Sequence, residues 1–291
     1  MIDKKEDMPQ FFDDQLERLG VDYIDIYLLH ALGKESYQKA KDFEAFEFAF
    51  QKKAEGKIKH VGFSFHDSAE VLDMILTEQP DVEYVQLQIN YLDWEDDNVQ
   101  SRKCYEVAVK HGKKVLIMEP VKGGALAKVN PEVEKRFKAY APDASIASWA
   151  VRFAASLEHV VMVLSGMSNE AQVADNLSYM KDFVPMNEEE MKLVLDAAET
   201  IRNDIAIACT GCRYCVDDCP MQIAIPEYFK IYNRHKQLQG TQTGMDKNRY
   251  KHASEGNGKA SACVECGLCE SHCPQNLPIR KLLKDVAGAL E

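Results

Sequence analysis

Two short segments near the C-terminal end hold eight of the nine cysteines of this 291-residue chain. The first is CTGCRYCVDDCP (209–220) and the second is CVECGLCESHCP (263–274), so both follow the spacing C-x2-C-x2-C-x3-C-P. The remaining cysteine, Cys104, belongs to no such pattern and is interpreted as a small, semi-buried residue. A repeated spacing of this kind indicates that the thiols bind a group together.

The spacing favours iron–sulfur clusters over the other uses of cysteine. A spacing of two residues turns the chain tightly enough for three thiolates to reach three irons of one cubic four-iron cluster. In paired motifs of this kind, the fourth cysteine ligates the other cluster. Zinc is the alternative, but zinc sites usually take two cysteines from each of two knuckles. The motifs therefore predict two [4Fe–4S] clusters with crossed ligand sets: Cys209, Cys212, Cys215 and Cys273 for one, and Cys263, Cys266, Cys269 and Cys219 for the other.

Composition and charge narrow the class of protein. The chain is 46% hydrophobic and 28% charged, as in a soluble globular protein, and its formal charge of −12 argues against nucleic acid or anionic membrane as partners. The opening MIDKKEDMPQ has no apolar signal-peptide core, and no run of about 18 apolar residues occurs. We therefore expect a cytoplasmic protein, in which structural disulfides are rare.

Helical patterns accompany the two motifs. Apolar residues recur at helical spacing in 225–239 and again in 277–290, while TQTGMDKNRY (241–250) and SEGNGKA (254–260) have the polar, glycine-containing character of connectors. These patterns predict a small, mainly α-helical domain of the dicluster ferredoxin type over residues 205–291.

The first 204 residues alternate short apolar runs with amphipathic helical stretches. Continuous apolar runs are typical of strands covered on both faces, and a regular β–α alternation predicts a parallel sheet. Five such runs are present, whereas a closed parallel barrel needs eight strands. The predicted strands are YIDIYLLH (23–30), HVGFSFH (60–66), YVQLQIN (84–90), KVLIMEP (114–120) and VVMVLSG (160–166).

Polar residues gather where the predicted strands end. In parallel barrels the catalytic and binding residues lie at the C-terminal ends of the strands. The joint occurrence of these polar residues therefore favours a functional site there. Taken singly, a histidine in such a place is more often structural, and a serine or asparagine often caps the next helix. The residues concerned are His30, Ser64, His66, Gln86, Asn90, Glu119 and Ser165.

The chain resembles the aldo/keto reductase superfamily. The resemblance rests on LERLGVDYIDIYLLH (16–30), followed in the family's order by GKIKHVGFSFH, VQLQINYLD, IMEPVKGG and LSGMSNEAQVADN. Together with the cysteine motifs, it points to the iron–sulfur members of that superfamily. The resemblance implies an α/β fold over residues 1–204, an incomplete (β/α)8 barrel of about five βα units. It also implies hydride transfer between a nicotinamide and a carbonyl, with a tyrosine as proton donor.

The resemblance also implies which residues act. His30 matches the histidine that orients the substrate carbonyl. Met167 and Gln172 stand where NADPH-selective members place cations, so the choice between NADP(H) and NAD(H) stays open. Lys122-Gly123-Gly124 lies in no phosphate-binding pattern and is interpreted as a flexible barrel loop. The residues that match the family's nicotinamide-binding positions are Ser64, Gln86, Met118, Gly166, Ser168, Gln172 and Asn176.

One part of the family's catalytic set is missing from these 291 residues. Of the family's Asp, Tyr, Lys and His tetrad, only the histidine has a counterpart in this sequence, His30. The other three residues come from βα units that would precede residue 1. We expect a fragment or a start placed too late, in preference to a truncated relative, since an open five-stranded sheet would leave its first edge bare.

These observations lead to one functional hypothesis and one alternative. The hypothesis is an oxidoreductase of aldo/keto reductase type, with NAD(P)H-linked carbonyl or related redox chemistry coupled to two [4Fe–4S] clusters. Its partners would be a small carbonyl substrate or an electron-transfer protein such as a ferredoxin or flavoprotein, and the chain as it stands would be inactive in carbonyl reduction. The alternative is a non-catalytic electron-transfer or interaction module.

Overall fold

Five parallel strands form one sheet in which neighbours follow chain order, β1-β2-β3-β4-β5. The computed structural model describes residues 4–97, 99–237 and 243–291. Within these residues the sheet is not closed, because β1 and β5 are its two edges. The α/β prediction and its five strands are therefore confirmed. The strands are β1 (Ile24–Leu32), β2 (Ile58–Phe65), β3 (Tyr84–Gln88), β4 (Lys114–Met118) and β5 (Val160–Val163).

The chain divides into two compact units. The first unit comprises residues 1–96, 100–120 and 154–167, and therefore contains the whole sheet. The second comprises residues 97–99, 121–153 and 168–291. The division into domains 1–204 and 205–291 stays a prediction.

Helices connect the first four strands of this unit in the order that the alternating sequence predicts, and one further helix precedes the first strand. They cover the sheet with apolar faces. At the centre of β2 the chain lies very close to its neighbours, because a Cβ on Gly62 would lie 2.5 Å from the Tyr84 carbonyl oxygen. The helices are α1 (Met8–Leu19), α2 (Lys34–Asp42), α3 (Ala45–Ala54), α4 (Ala69–Glu78) and α5 (Ser101–Lys110).

The second unit is built from helices and short turns. The last two residues of α7 belong to the first unit. Short 3₁₀ segments occur at Lys5–Asp7, Lys122–Ala127 and Ala260–Ala262. No helix in the described part of the chain is long and apolar enough to cross a membrane. The helices are α6 (Pro131–Tyr140), α7 (Ile146–Ala155), α8 (Glu170–Met180), α9 (Glu188–Asp204), α10 (Ile225–Gln237), α11 (Thr243–Ala253), α12 (Leu268–Ser271) and α13 (Ile279–Leu290).

The helices beside the cysteine motifs lie where apolar spacing predicts them, at α10 and α13. The last two residues of the predicted segment 225–239 lie outside the described residues. Their buried faces form one core, in which Phe229, Leu283 and Val286 are at most 1% exposed. The prediction of a mainly helical C-terminal domain is therefore confirmed.

One predicted connector is a helix. The polar segment TQTGMDKNRY contributes most of α11, although its first two residues lie outside the described part. The sequence pattern did not predict this helix because only a few residues anchor it. Tyr250 packs on Tyr228, with ring centroids 4.7 Å apart. Asp246 is fully buried, 3.4 Å from both Arg234 Nε and His235 Nδ1 of α10. Tertiary contacts thus override a weakly amphipathic sequence.

Candidate functional site

The eight motif cysteines surround two cavities in the second unit. Each is a partly open space of about 310 Å³, counted with the solvent at its mouth, and each takes three cysteines from one motif and the fourth from the other. We call them cavity A and cavity B. The structure thus brings together the same crossed sets that the motif spacing predicts. Cavity A is lined by Cys209, Cys212, Cys215 and Cys273, and cavity B by Cys219, Cys263, Cys266 and Cys269.

The two motifs repeat the same backbone conformation. Residues with left-handed φ, between 48° and 83°, occur immediately before the second cysteine, immediately after it, and three positions after the fourth. Such turns expose successive N–H groups on one side of the chain, as in known anion and iron–sulfur sites. The Gly211 N–H, for example, points to Cys209 Sγ at 3.4 Å. The equivalent pairs are Gly211 and Glu265, Arg213 and Gly267, and Gln222 and Asn276.

Burial keeps several of these thiols from ionising on their own. It raises the pKa of Cys215 to about 12 and that of Cys269 to about 11, and it also raises the pKa of Cys209 and of Cys273. Burial disfavours a thiolate, and a metal bound to the sulfur is one of the groups that stabilise the ionised form.

The cavity linings fit a cluster-sized group. Apart from the cysteines, cavity A is lined mainly by apolar side chains such as Phe229 and Ile279. Its polar lining residues are Thr210, Arg213 and Gln275. The Thr210 hydroxyl oxygen is buried and has no hydrogen-bond partner among the described residues. A bound group with sulfur acceptors would satisfy it. In the described part of the chain, no three His, Cys, Asp or Glu side chains converge on a single metal ion; the thiols instead line spaces that can hold a larger group.

Lys122 contacts Gln275, a residue that lines cavity A, and is not the flexible loop residue that the sequence suggests. It is 3% exposed, and its Nζ donates a hydrogen bond to Gln275 Oε1 at 2.7 Å. The chain reaches this position through left-handed conformations at Lys122 and the two following glycines. A Cβ on Gly123 would lie 2.8 Å from the Thr210 carbonyl oxygen, so glycine allows this close approach. Nothing in the sequence near Lys122 signals a partner 153 residues away.

In the first unit, three residues predicted to bind the nicotinamide lie on neighbouring strands. Ser64 of β2 is the register partner of Gln86 of β3, whose Nε2 lies 3.3 Å from Met118 Sδ of β4. The Ser64 Oγ already accepts one hydrogen bond, from the Ala31 N–H at 2.7 Å, which limits the hydrogen bonds that it can make to a ligand. His30 is exposed near the end of β1. The structure therefore brings Ser64, Gln86 and Met118 together.

The other predicted nicotinamide residues are divided between the units. Gly166 belongs to the first unit, whereas Ser168, Gln172 and Asn176 belong to the second. The Gln172 side chain accepts a hydrogen bond from the Ser168 N–H at 2.6 Å, and Asn176 accepts one from the Tyr179 hydroxyl. All four residues keep at least part of their surface exposed. Local hydrogen bonds thus engage two of the side chains that resemblance assigns to the cofactor, those of Gln172 and Asn176.

A buried polar network follows β3, and the sequence pointed to two of its members, Asn90 and Glu119. The Asp93 carboxylate accepts hydrogen bonds from Gln88 Nε2 at 3.0 Å and Asn90 Nδ2 at 2.9 Å. Asn90 Nδ2 also donates to the Glu119 carbonyl oxygen at 3.2 Å, and the Ser101 hydroxyl donates to the Gln88 carbonyl oxygen at 2.7 Å. The network fixes the loops that follow β3 and β4. The spacing of Asn90 and Asp93, typical of a local turn, was the available signal.

Solved structures with the same fold are aldo-keto reductases. AKR11C1 from Bacillus halodurans, in its holo form, is 23% identical, covers 66% of this chain and 65% of its own, and has a TM-score of 0.52. The thermostable aldo-keto reductase Tm1743, solved with the inhibitor epalrestat, is 20% identical, with 66% of each chain covered and a TM-score of 0.53. A Klebsiella pneumoniae aldo/keto reductase in complex with NADP and acetate is 18% identical, with 66% and 64% covered and a TM-score of 0.51.

These likenesses establish the fold over the part that is covered. The chain spans about two thirds of the length of the solved structures it matches. No curated protein matches the chain.

Two family models match the chain in succession. The model of the 4Fe-4S dicluster domain matches residues 208–277, which contain both cysteine motifs. The model of the aldo/keto reductase family matches residues 3–199, which contain all five strands and account for more than half of the sequence. The chain therefore belongs to the aldo/keto reductase family and carries a 4Fe-4S dicluster domain.

Proposed function

We propose that this aldo/keto reductase-type oxidoreductase holds two [4Fe–4S] clusters, one in each cysteine cavity. The observation that carries the proposal is the crossed lining of cavities A and B, because a fourth cysteine shared between two motifs is the ligand pattern of two-cluster ferredoxins. When bound, two clusters supply one-electron transfer between neighbouring centres. The chain's own contribution is eight thiolates, apolar walls and a fixed backbone around each site.

The ends of β2, β3 and β4 would hold a nicotinamide cofactor. Ser64 and Gln86 offer hydrogen-bonding groups for its carboxamide, and Met118 offers a soft, polarisable surface for its ring. Support comes from the fold, since the Klebsiella pneumoniae neighbours were solved with NADP and with NADPH. The segment from Gly166 to Asn176 contains no lysine or arginine, so NAD(H) and NADP(H) are both candidates. His30 would orient a small carbonyl substrate.

The 291 residues as they stand would not reduce carbonyls at an ordinary rate. Of the four catalytic residues that resemblance implies, they contain a counterpart of only the histidine, His30. Electrons would then pass between this chain and a one-electron partner such as a ferredoxin or a flavoprotein. A second candidate is a non-catalytic electron-transfer or interaction module, which the two complete cysteine sets favour.

Reconstitution under anaerobic conditions tests the cluster proposal. Protein loaded with iron and sulfide should contain about eight of each, the sum of two four-iron cubes. The ninth cysteine supplies the matched control: Cys104→Ala should leave both contents unchanged, because Cys104 belongs to neither cavity. About two zinc ions per chain, without visible absorption, would contradict the proposal.

Single cysteine variants test the crossing itself. Cys219→Ala should alter the same electron paramagnetic resonance component as Cys263→Ala, because both residues line cavity B. Cys273→Ala should alter the same component as Cys209→Ala, because both line cavity A. If Cys219→Ala instead grouped with Cys209→Ala, each motif would hold its own cluster and the crossed sets would be wrong.

A further inference from the structure

Helices α10 and α11 carry positive charge in a chain that is otherwise acidic. Together they contain six lysines and arginines against two carboxylate side chains, which gives a formal charge of +4 with histidines counted as neutral. The other residues contain 29 lysines and arginines against 45 carboxylates, which gives −16. Ion pairs within the two helices redistribute their charge but leave its sum unchanged. The six basic residues are Lys230, Arg234, Lys236, Lys247, Arg249 and Lys251.

Three of these cations share one surface, which we call the basic face: Lys230, Arg234 and Arg249. Lys230 is exposed and precedes Arg234 by four residues, a spacing that places both on one side of α10. Arg234 Nε and Arg249 Nη1 lie 3.4 Å and 3.8 Å from the same oxygen, Oδ1 of the buried Asp246. Both arginine side chains stay partly exposed, at 43% and 45%. The basic face therefore spans both helices.

An exposed apolar side chain lies beside the cations. Met245 is 58% exposed and precedes Arg249 by four residues, so the two share one side of α11. Methionine and arginine are both enriched in protein–protein interfaces, and the flexible thioether of methionine adapts to the surface of a partner. A face that combines cations with an exposed methionine is suited to a protein with carboxylates on its surface.

The basic face begins close to cavity A. Pro226 and Phe229 of α10 line this cavity. Lys230 follows Phe229 directly and lies one helical turn after Pro226, and successive turns of an α-helix are about 5.4 Å apart. A protein docked on the basic face would therefore lie beside the wall of cavity A.

We infer that the basic face docks an acidic one-electron carrier protein, which exchanges an electron with the cluster of cavity A. In each encounter one electron moves between the carrier's redox centre and that cluster, so that one is reduced as the other is oxidised. The inference rests on the proposed function, because the exchange requires a cluster in cavity A. A nucleic acid or an anionic membrane fits less well, because its extended negative surface would also approach the other residues of the chain, whose charge is −16.

Binding kinetics of the reconstituted chain with an oxidised plant-type [2Fe–2S] ferredoxin, an acidic carrier, test the docking. The variant with Lys230→Gln and Arg249→Gln should associate at least about fivefold more slowly at about 0.1 M salt, because electrostatic complementarity acts mainly on the association rate. At about 1 M salt, where the Debye length is about 3 Å, wild type and variant should associate at similar rates. Arg234 stays in place because it contacts the buried Asp246 at 3.4 Å.

Two further variants separate the basic face from general charge. Lys247→Gln with Lys251→Gln is the matched control, because it removes the same charge from exposed positions of these helices. Lys247 stands two residues before Arg249 and so projects from another side of α11, and this control should slow association less than about twofold. Glu227→Gln removes an exposed carboxylate three residues before Lys230 and should accelerate association about twofold, a gain that loss of folding cannot produce.

Three outcomes would overturn the inference. The first is a wild-type chain that does not bind the ferredoxin, and the second is equal association of wild type and the basic-face variant at full iron content. The third is binding of duplex DNA, or of vesicles of phosphatidylcholine and phosphatidylserine, that the basic-face variant loses while the ferredoxin fails to bind. All three leave the two-cluster proposal standing. A wild-type protein that holds far fewer than about eight irons would instead overturn the proposed function.

Discussion

At the residue scale, burial decides the charge of His66 at the end of β2. Burial, with a smaller contribution from the charge of His30, lowers the pKa of His66 from its ordinary value near 6.5 to about 4. The unfolded chain therefore binds more protons than the folded chain between these two values. Stability of the first unit is fully present above pH 6.5 and falls as the pH drops toward 4, by about 3 kcal/mol at most from this residue.

Hydrogen exchange of strand β2 between pH 4 and 7, corrected for the intrinsic exchange rate, measures this effect locally. His66→Gln should flatten the pH dependence of β2 protection, because the group that resists protonation is gone. His30→Gln should flatten it less, since it removes only the smaller cause of the lowered pKa. An equally steep loss of protection in wild type and His66→Gln would show that other groups govern the acid sensitivity of this strand.

At the element scale, the cysteine turns depend on left-handed residues that the two motifs fill differently. The position after the second cysteine is Arg213, at φ 70°, in the first motif and Gly267, at φ 83°, in the second. A Cβ on Gly267 would meet no atom within 4 Å, so Gly267→Ala should destabilise the turn only through its backbone, by about 1 kcal/mol. Arg213→Gly should be neutral within about 1 kcal/mol, because relief of backbone strain offsets the greater flexibility of glycine.

The rate at which the visible absorption of the clusters bleaches in denaturant reports these changes. Gly267→Ala should bleach faster than wild type, and Arg213→Gly should not. Gly123→Ala provides a sterically different comparison, because its Cβ would meet the Thr210 carbonyl oxygen at 2.8 Å. This substitution should therefore lower the stability of the site more than Gly267→Ala does. Equal rates in all three variants would mean that left-handed geometry does not limit the stability of the sites.

At the scale of the whole molecule, these 291 residues contain one counterpart, His30, of the catalytic set that resemblance implies. General-acid help to a developing alkoxide is typically worth about 10²–10⁴ in rate, and no tyrosine of the chain occupies the donor position that resemblance implies. We predict that NADPH or NADH oxidation by the 291-residue chain, with aldehydes, ketones and quinones as acceptors, does not exceed the background rate. Substrate-dependent turnover that His30→Ala abolishes would contradict this prediction and require a different proton donor.

Several features were predictable because they depend on short-range patterns. The strand runs, the helices flanking the motifs and the crossed cysteine sets follow from apolar periodicity and from fixed thiol spacing. Helix α11 was missed because it is held by the buried Asp246 and by the contact between Tyr228 and Tyr250, which no local pattern encodes. Placement of Ser64 beside Gln86 required the register of β2 and β3, which the sequence does not specify residue by residue.

By itself the sequence determined the chemistry of this protein: the thiols, their spacing and the alternation of strands and helices. These properties are local, because they depend on residue type and on neighbours a few positions away. Only the tertiary structure decided which distant residues meet around the cysteines. Lys122 and Gln275 are 153 residues apart in the chain but 2.7 Å apart at their polar atoms, and folding alone removes them from water. Gln275 in turn lines cavity A, and no local pattern encodes its contact with Lys122, because the contact depends on how the chain folds back on itself.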